Sequence, residues 1–274
     1  MDLSDIQETT TCNPPIQLIY GPPGSWKTQY GLDAPKPIFL CSEMGFGDRK
    51  AKAVNLNKTI EVDVITDPDK PPVKTKMVGY ALLNYWLGKL FTDTSGAFET
   101  IVIDSLDHVV PMVVAQVLAD KSTPDKPVKS IEDFGWGKGQ TYEEAEWIKL
   151  ISRLVKLSER GYNIILLAHA SDRTIQDPTR MDPYHRIEPK LPKKVTAYVQ
   201  EKCNIIGLAH QQISIVENDA KQDRAIGRNI FDLQVSPTAA IVAKNQYRLP
   251  DVFKNYSYAA VSAAIHKAIH KDSK

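Results

Sequence analysis

The apolar positions of this chain fall into short continuous runs separated by longer segments of helical spacing. Ile16-Gln17-Leu18-Ile19-Tyr20, Pro37-Ile38-Phe39-Leu40-Cys41, Thr100-Ile101-Val102-Ile103 and Asn163-Ile164-Ile165-Leu166-Leu167-Ala168 are runs of the first kind. Strands covered on both faces read this way, because neither side of the pleat meets water. Residues 77–91 and 108–119 carry apolar residues at mixed helical spacing. Residues 141–160 do so more regularly, through Tyr142, Ala145, Ile148, Ile151, Leu154, Val155 and Leu157. Thr141-Tyr142-Glu143-Glu144 has the form of a capping box, and Gly161 is a natural stop. Strands alternating with helices predict an α/β fold: a mostly parallel central sheet flanked by helices.

The weaker patterns fill in the edges. Glu61–Thr66 alternates and is expected as a third, edge-like strand, broken by the proline-rich stretch 67–72. Residues 204–208, 213–217, 229–234 and 239–243 are strand-like runs around the polar turn 218–227. They predict antiparallel hairpins added to the sheet near the C-terminus. A last helix is expected over 256–269, and residues 1–15, ending in Asn13-Pro14-Pro15, as a flexible lead-in. Two polar segments, 120–140 and 171–194, read as long insertions. The first interleaves Lys121, Lys126, Lys129 and Lys138 with Phe134 and Trp136. The second gathers Arg173, Arg180, Arg186, Lys190, Lys193 and Lys194 around Tyr184 and His185. Cations with exposed rings suit single-stranded nucleic acid, although the same rings can tuck back onto a core.

Composition narrows the class. A chain of 274 residues with 42% apolar and 24% charged residues is ordinary for a globular protein, which excludes wholesale disorder. A net charge of +1 means that any nucleic-acid surface is a local patch. The three cysteines, Cys12, Cys41 and Cys203, lack metal-ligand spacing and read as reduced thiols. Neither a signal core nor an apolar run of membrane length stands in the sequence, so a cytoplasmic location is expected.

The chemistry concentrates at the ends of the strands. Gly21-Pro22-Pro23-Gly24-Ser25-Trp26-Lys27-Thr28 follows the first strand and precedes a helix, the context a phosphate-binding loop requires. Its backbone N–H groups are suited to a polyphosphate, Lys27 to the terminal oxygens and the Thr28 hydroxyl to Mg²⁺. Trp26 stands where glycine usually precedes the lysine. Glu43 follows the second strand, Asp104 ends the Thr100–Asp104 strand and His169 ends the next. All three are therefore expected at the carboxyl edge, where open α/β sheets bind ligands. ATP and Mg²⁺ are the expected cofactors, with Thr28 and Asp104 on the metal.

In this order the features resemble the RecA-like P-loop ATPase core, and more closely the short phage RecA-type ATPases associated with single-strand annealing recombination. The resemblance rests on Gly21–Thr28, Ser42-Glu43-Met44-Gly45, Ile101-Val102-Ile103-Asp104-Ser105, Leu167-Ala168-His169-Ala170 and Ala243-Lys244-Asn245. It implies one RecA-like ATPase domain over 16–274, with Glu43 as general base and His169 as a γ-phosphate sensor. It also implies that Lys244 acts as a cation reaching a neighbouring subunit's site, and hence a homo-oligomer, ring or filament. Insertions 120–140 and 171–194 match the family's DNA loops in location, which implies single-stranded DNA as a partner, with an annealing or single-strand-binding protein. A DNA-stimulated ATPase is the leading expectation. A nucleotide-gated DNA-binding module, with Trp26 blocking chemistry, and a helicase-loading or protein-remodelling ATPase are the alternatives.

Overall fold

The first apolar run becomes β1 (Ile16–Gly21), buried at every position. Its alternation splits the core, as the two-residue period of a strand requires: Leu18 and Tyr20 join one apolar cluster, and Ile19 joins the other. The computed structural model describes residues 13–65, 69–125, 127–177, 181–217 and 223–271. The expected lead-in lies outside them as far as residue 12, as do residues 218–222 of the expected polar turn.

Six parallel strands form the centre of the sheet. β2 (Pro37–Cys41), β3 (Lys52–Asn55), β6 (Thr100–Asp104), β7 (Asn163–Ile175) and β9 (Ile205–Glu217) stand with β1 in the order β9-β1-β7-β6-β2-β3. The register aligns Gly21 with His169 and Cys41 with Asp104, so the chain segments leaving β1, β2 and β6 emerge at one edge. Helices cover both faces. α2 (Gly79–Thr92), α3 (Leu106–Lys121), α4 (Lys138–Glu159) and α5 (Lys193–Lys202) bury Leu83, Val113, Trp147 and Val199 on one side. On the other, α1 (Lys27–Leu32) and α6 (Tyr258–Lys271) bury Tyr30, Val261 and Ile265. β10 (Asp223–Gln234) pairs antiparallel with β9, and β12 (Val252–Phe253) with β10, which gives the expected antiparallel edge. The fold is that of a RecA-like P-loop core.

Several elements differ from the sequence reading. The third strand of the main sheet is β3, whose sequence Lys-Ala-Val-Asn buries only Val54 and so carries almost no apolar signal. The alternating run near residue 61 is β4 (Ile60–Val64), which pairs with β5 (Val73–Met77) in a separate two-stranded sheet. The insertion after His169 is largely a hairpin: β7 runs on to Ile175 and pairs with β8 (Tyr184–Pro189). The segment before α4 carries a 3₁₀ turn, Ile131–Phe134. The capping box belongs to that turn, through Ser130 and Asp133, whereas α4 starts three residues before Thr141 with Gly137 as its N-cap. Runs 204–208 and 213–217 form one strand, and 239–243 makes isolated bridges ahead of β11 (Lys244–Asn245).

Candidate functional site

The loop between β1 and α1 folds around its own lysine. Lys27 Nζ donates to the Gly21 carbonyl at 3.0 Å, the Pro22 carbonyl at 2.8 Å and Ser25 Oγ at 3.2 Å. Ser25 Oγ in turn donates to the Pro22 carbonyl at 2.7 Å, and Tyr256 Oη donates to the Ser25 carbonyl at 2.6 Å, pinning the loop to the segment that enters α6. Gly21 is required by packing, since a Cβ there would stand 2.4 Å from the Ala209 carbonyl of β9. Trp26 adopts φ 66°, a left-handed conformation that favours glycine, with its side chain about half exposed. Burial holds the Lys27 ammonium below its ordinary range, against the pull of Asp104, Asp107 and Glu43. A cation so stripped of water gains from a polyanion brought beside it.

β6 delivers Asp104 next to this loop. Thr28 Oγ1 donates to Asp104 Oδ2 at 2.8 Å. Burial raises the Asp104 carboxyl above the usual carboxylate range, offset in part by the Thr28 hydroxyl and by Lys27. Ser42, at the end of β2, braces the turn after β6: its N–H donates to the Asp104 carbonyl at 2.9 Å, and its Oγ accepts from the Ser105 N–H at 3.3 Å. Glu43 follows directly, its side chain half exposed. A cleft of about 500 Å³ is lined by Pro23 to Gln29, Glu43, Gly45, Arg49, Asp104 and His169. The structure therefore gathers Pro23 to Thr28, Glu43, Asp104 and His169 around one cavity, whereas Gly21 and Pro22 do not line it and act through the carbonyls that hold Lys27.

His169 lies within β7, at the last position of its parallel pairing with β1. Its backbone N–H donates to Asp107 Oδ1 at 3.0 Å and its Nδ1 faces Asp107 Oδ2 at 3.0 Å. Burial opposes ionisation of Asp107, yet the backbone and ring of His169, with Ser105, hold its carboxyl below the usual range. Asp107 and His108, in the first turn of α3, and Arg49, which donates from Nε to the Phe46 carbonyl at 3.0 Å, were missed by sequence reasoning. For the pair on α3 a signal existed: a strand-end Asp104 places the next helical turn at the same edge.

Lys244 stands apart. It pairs with Ile206, level with Leu18, about 10 Å along the sheet from Gly21 at 3.3 Å per residue. Its Nζ donates to the Gln200 and Glu201 carbonyls at 2.8 and 2.9 Å, capping α5.

A phosphate loop opening a helix, a strand-end aspartate bonded to its threonine and a 5-1-4-3-2 parallel order, counted over β1, β2, β6, β7 and β9, define a RecA-like P-loop nucleotide-binding ATPase core. The AAA domain family matches residues 13–247, and the chain belongs to it. No relative was found among curated protein sequences. Among solved structures, the RadB recombinase is similar with 12% identity over 80% of this chain and 87% of that one, at a TM-score of 0.38. The flagellar accessory protein FlaH from Methanocaldococcus jannaschii is similar with 10% identity over 88% and 85%, at 0.37. At these levels nothing of their activity transfers. Among the described residues no helix is long and apolar enough to cross a membrane.

Proposed function

We propose that the chain is a Mg²⁺-dependent ATPase whose turnover is stimulated by single-stranded DNA, acting in recombination or strand annealing as the short phage enzymes it resembles do. The observation that carries the ATPase reading is the 2.8 Å contact of Thr28 with Asp104, beside a lysine wrapped by its own loop. Those two oxygens fit a hard divalent cation, which, when bound, offsets charge on the phosphate oxygens. Lys27 leaves its carbonyl partners for the β- and γ-phosphates. Glu43 orients water for in-line attack, and His169 meets the γ-phosphate through the ring nitrogen that Asp107 does not hold.

Trp136 supports the DNA reading. It is fully exposed between Gly135 and Gly137, and all three residues have positive φ, so the backbone presents the ring to solvent ahead of Lys138. An indole so displayed suits base stacking, worth about 1–3 kcal/mol per base. Not every cation of the second insertion is available: Arg173 pairs with Glu188 at 2.7 Å and Lys194 with Glu144 at 2.8 Å.

The test is ATP hydrolysis with and without single-stranded DNA. The expected result is stimulated turnover, lost with nucleotide binding in Lys27→Ala. In Glu43→Gln binding survives and turnover falls about 10²- to 10⁴-fold. Equal ATP affinity in wild type and Lys27→Ala refutes the site. Trp26 in the cleft wall favours one second reading, a nucleotide-gated DNA-binding module, which binding without turnover would support. Turnover indifferent to DNA would support a helicase-loading or protein-remodelling ATPase.

A further inference from the structure

Glu43 has a long side chain on a segment without regular structure, and a side chain of that kind loses rotamer freedom when fixed. Among the described residues, His108 Nδ1 meets its carboxylate, 3.0 Å from Glu43 Oε1. His108 sits on a rigid support, since its neighbours in α3, Leu106 and Val109, are fully buried. The two groups stand at ion-pair distance, and because an ionised carboxylate only accepts, Nδ1 of His108 is the side of the contact that carries a proton. The hydrogen-bond partner of that nitrogen within the chain is Ser105 Oγ, at 3.2 Å. On its other side the imidazole packs against the ring of His169, with centroids 5.6 Å apart, and His169 is anchored in turn by Asp107. Asp107, His108 and His169 bring donor atoms within 4.8 Å of one another, and each is already partnered within the chain.

We propose that His108 is a positioning residue for the hydrolytic step: it holds Glu43 at the cleft wall and couples that carboxylate, through ring contact, to the residue facing the γ-phosphate. The inference rests on the reading of Glu43 as the base. His108 lines an adjoining groove of about 690 Å³, shared with Ser42, Glu43 and Met112, and does not line the nucleotide cleft. Its effect therefore falls on the reacting geometry and not on nucleotide affinity. Holding a base within reach of its water is an orientation effect, and small misplacements cost up to about 10²-fold.

The experiment uses the full chain with Mg-ATP. His108→Ala is expected to lower kcat about 10- to 100-fold, with KM and nucleotide affinity unchanged. His108→Asn, whose Nδ2 stands near the position of Nδ1, is expected to recover most of the loss, and His108→Gln, whose amide lies near Nε2, is not. In the Glu43→Gln background His108→Ala should cost nothing further. A wild-type kcat in His108→Ala, with Glu43→Gln inactive, overturns the inference and leaves the ATPase reading standing. Wild type and Lys27→Ala equally inert sink the ATPase reading. The ¹⁵N shifts of the His108 ring then decide the contact without turnover. A protonated Nδ1 whose shift moves on Glu43→Gln supports it, and an unmoved ring overturns it.

Discussion

Trp26 sets the loop's most unusual term. A non-glycine residue in the left-handed region costs about 1–2 kcal/mol, and with the residue 53% exposed burial repays only part of it. Trp26→Gly removes that strain but frees the unfolded chain by about 0.4–1 kcal/mol, which offsets about half of the gain and leaves under about 1 kcal/mol. The expected outcome is an unfolding midpoint in urea close to wild type and an ATP turnover within about threefold, under 1 kcal/mol of barrier. A tenfold rise would mean that the indole obstructs the phosphates, and would favour the binding-module reading. The loop, Glu43, Asp104 and His169 were legible because each follows an apolar run, although His169 ends only the buried part of β7, which runs on to Ile175. Asp107 and His108 were not. On paper they are the polar first turn of a helix placed by Asp104 at that edge, and it takes the register of β6 beside β7 and β2 to bring them against His169 and Glu43.

Element by element, legibility followed burial. β1, β2, β6 and the start of β7 are covered on both faces and wrote themselves as continuous apolar runs. β3 has one covered neighbour and four mixed residues, so nothing in its composition separates it from a loop. The β7–β8 hairpin is polar because most of its residues are intermediate or exposed once it leaves the sheet, Glu188 and Pro189 of β8 being buried. The antiparallel edge holds a buried charge the pattern also concealed. Asp232 of β10, 1% exposed, accepts from Gln212 of β9 at 2.8 Å, Lys254 at 2.8 Å and the Asn255 N–H at 2.9 Å. It therefore ties the hairpin to the segment leading into α6. Desolvation opposes its charge, but Lys254, Gln212 and the Asn255 N–H keep its carboxyl below the usual range. A depressed folded value contributes stability above the unfolded value of about 3.9, lost as pH falls through the folded one. Asp232→Asn is expected to cost about 2–3 kcal/mol in urea unfolding at pH 7. That difference should shrink under acid; a pH-independent difference would contradict the ionised, bonded state.

Viewed across the molecule, the carboxyl edge of the sheet holds every proposed catalytic group except one. Lys244 sits toward the opposite end and spends its ammonium on the α5 carbonyls, so it does not reach the cleft of its own chain. Any part it takes in hydrolysis has to be in a neighbouring subunit's site, and this separates assembly from folding experimentally. Lys244→Ala loses a helix C-cap contact worth about 0.3–1 kcal/mol, a small drop in melting temperature that leaves the fold intact. If Lys244 serves a neighbour, Lys244→Ala and Glu43→Gln are each inactive alone. Mixing them restores part of the activity, because an interface pairing Glu43 of one subunit with Lys244 of the other is whole. The recovered rate should rise with total protein concentration, as association does. A cis role predicts no recovery at any ratio, and a purely structural one predicts that Lys244→Ala alone keeps its turnover. Subunit mixing monitored by ATP hydrolysis distinguishes the three, and only recovery on mixing makes the oligomer the active unit.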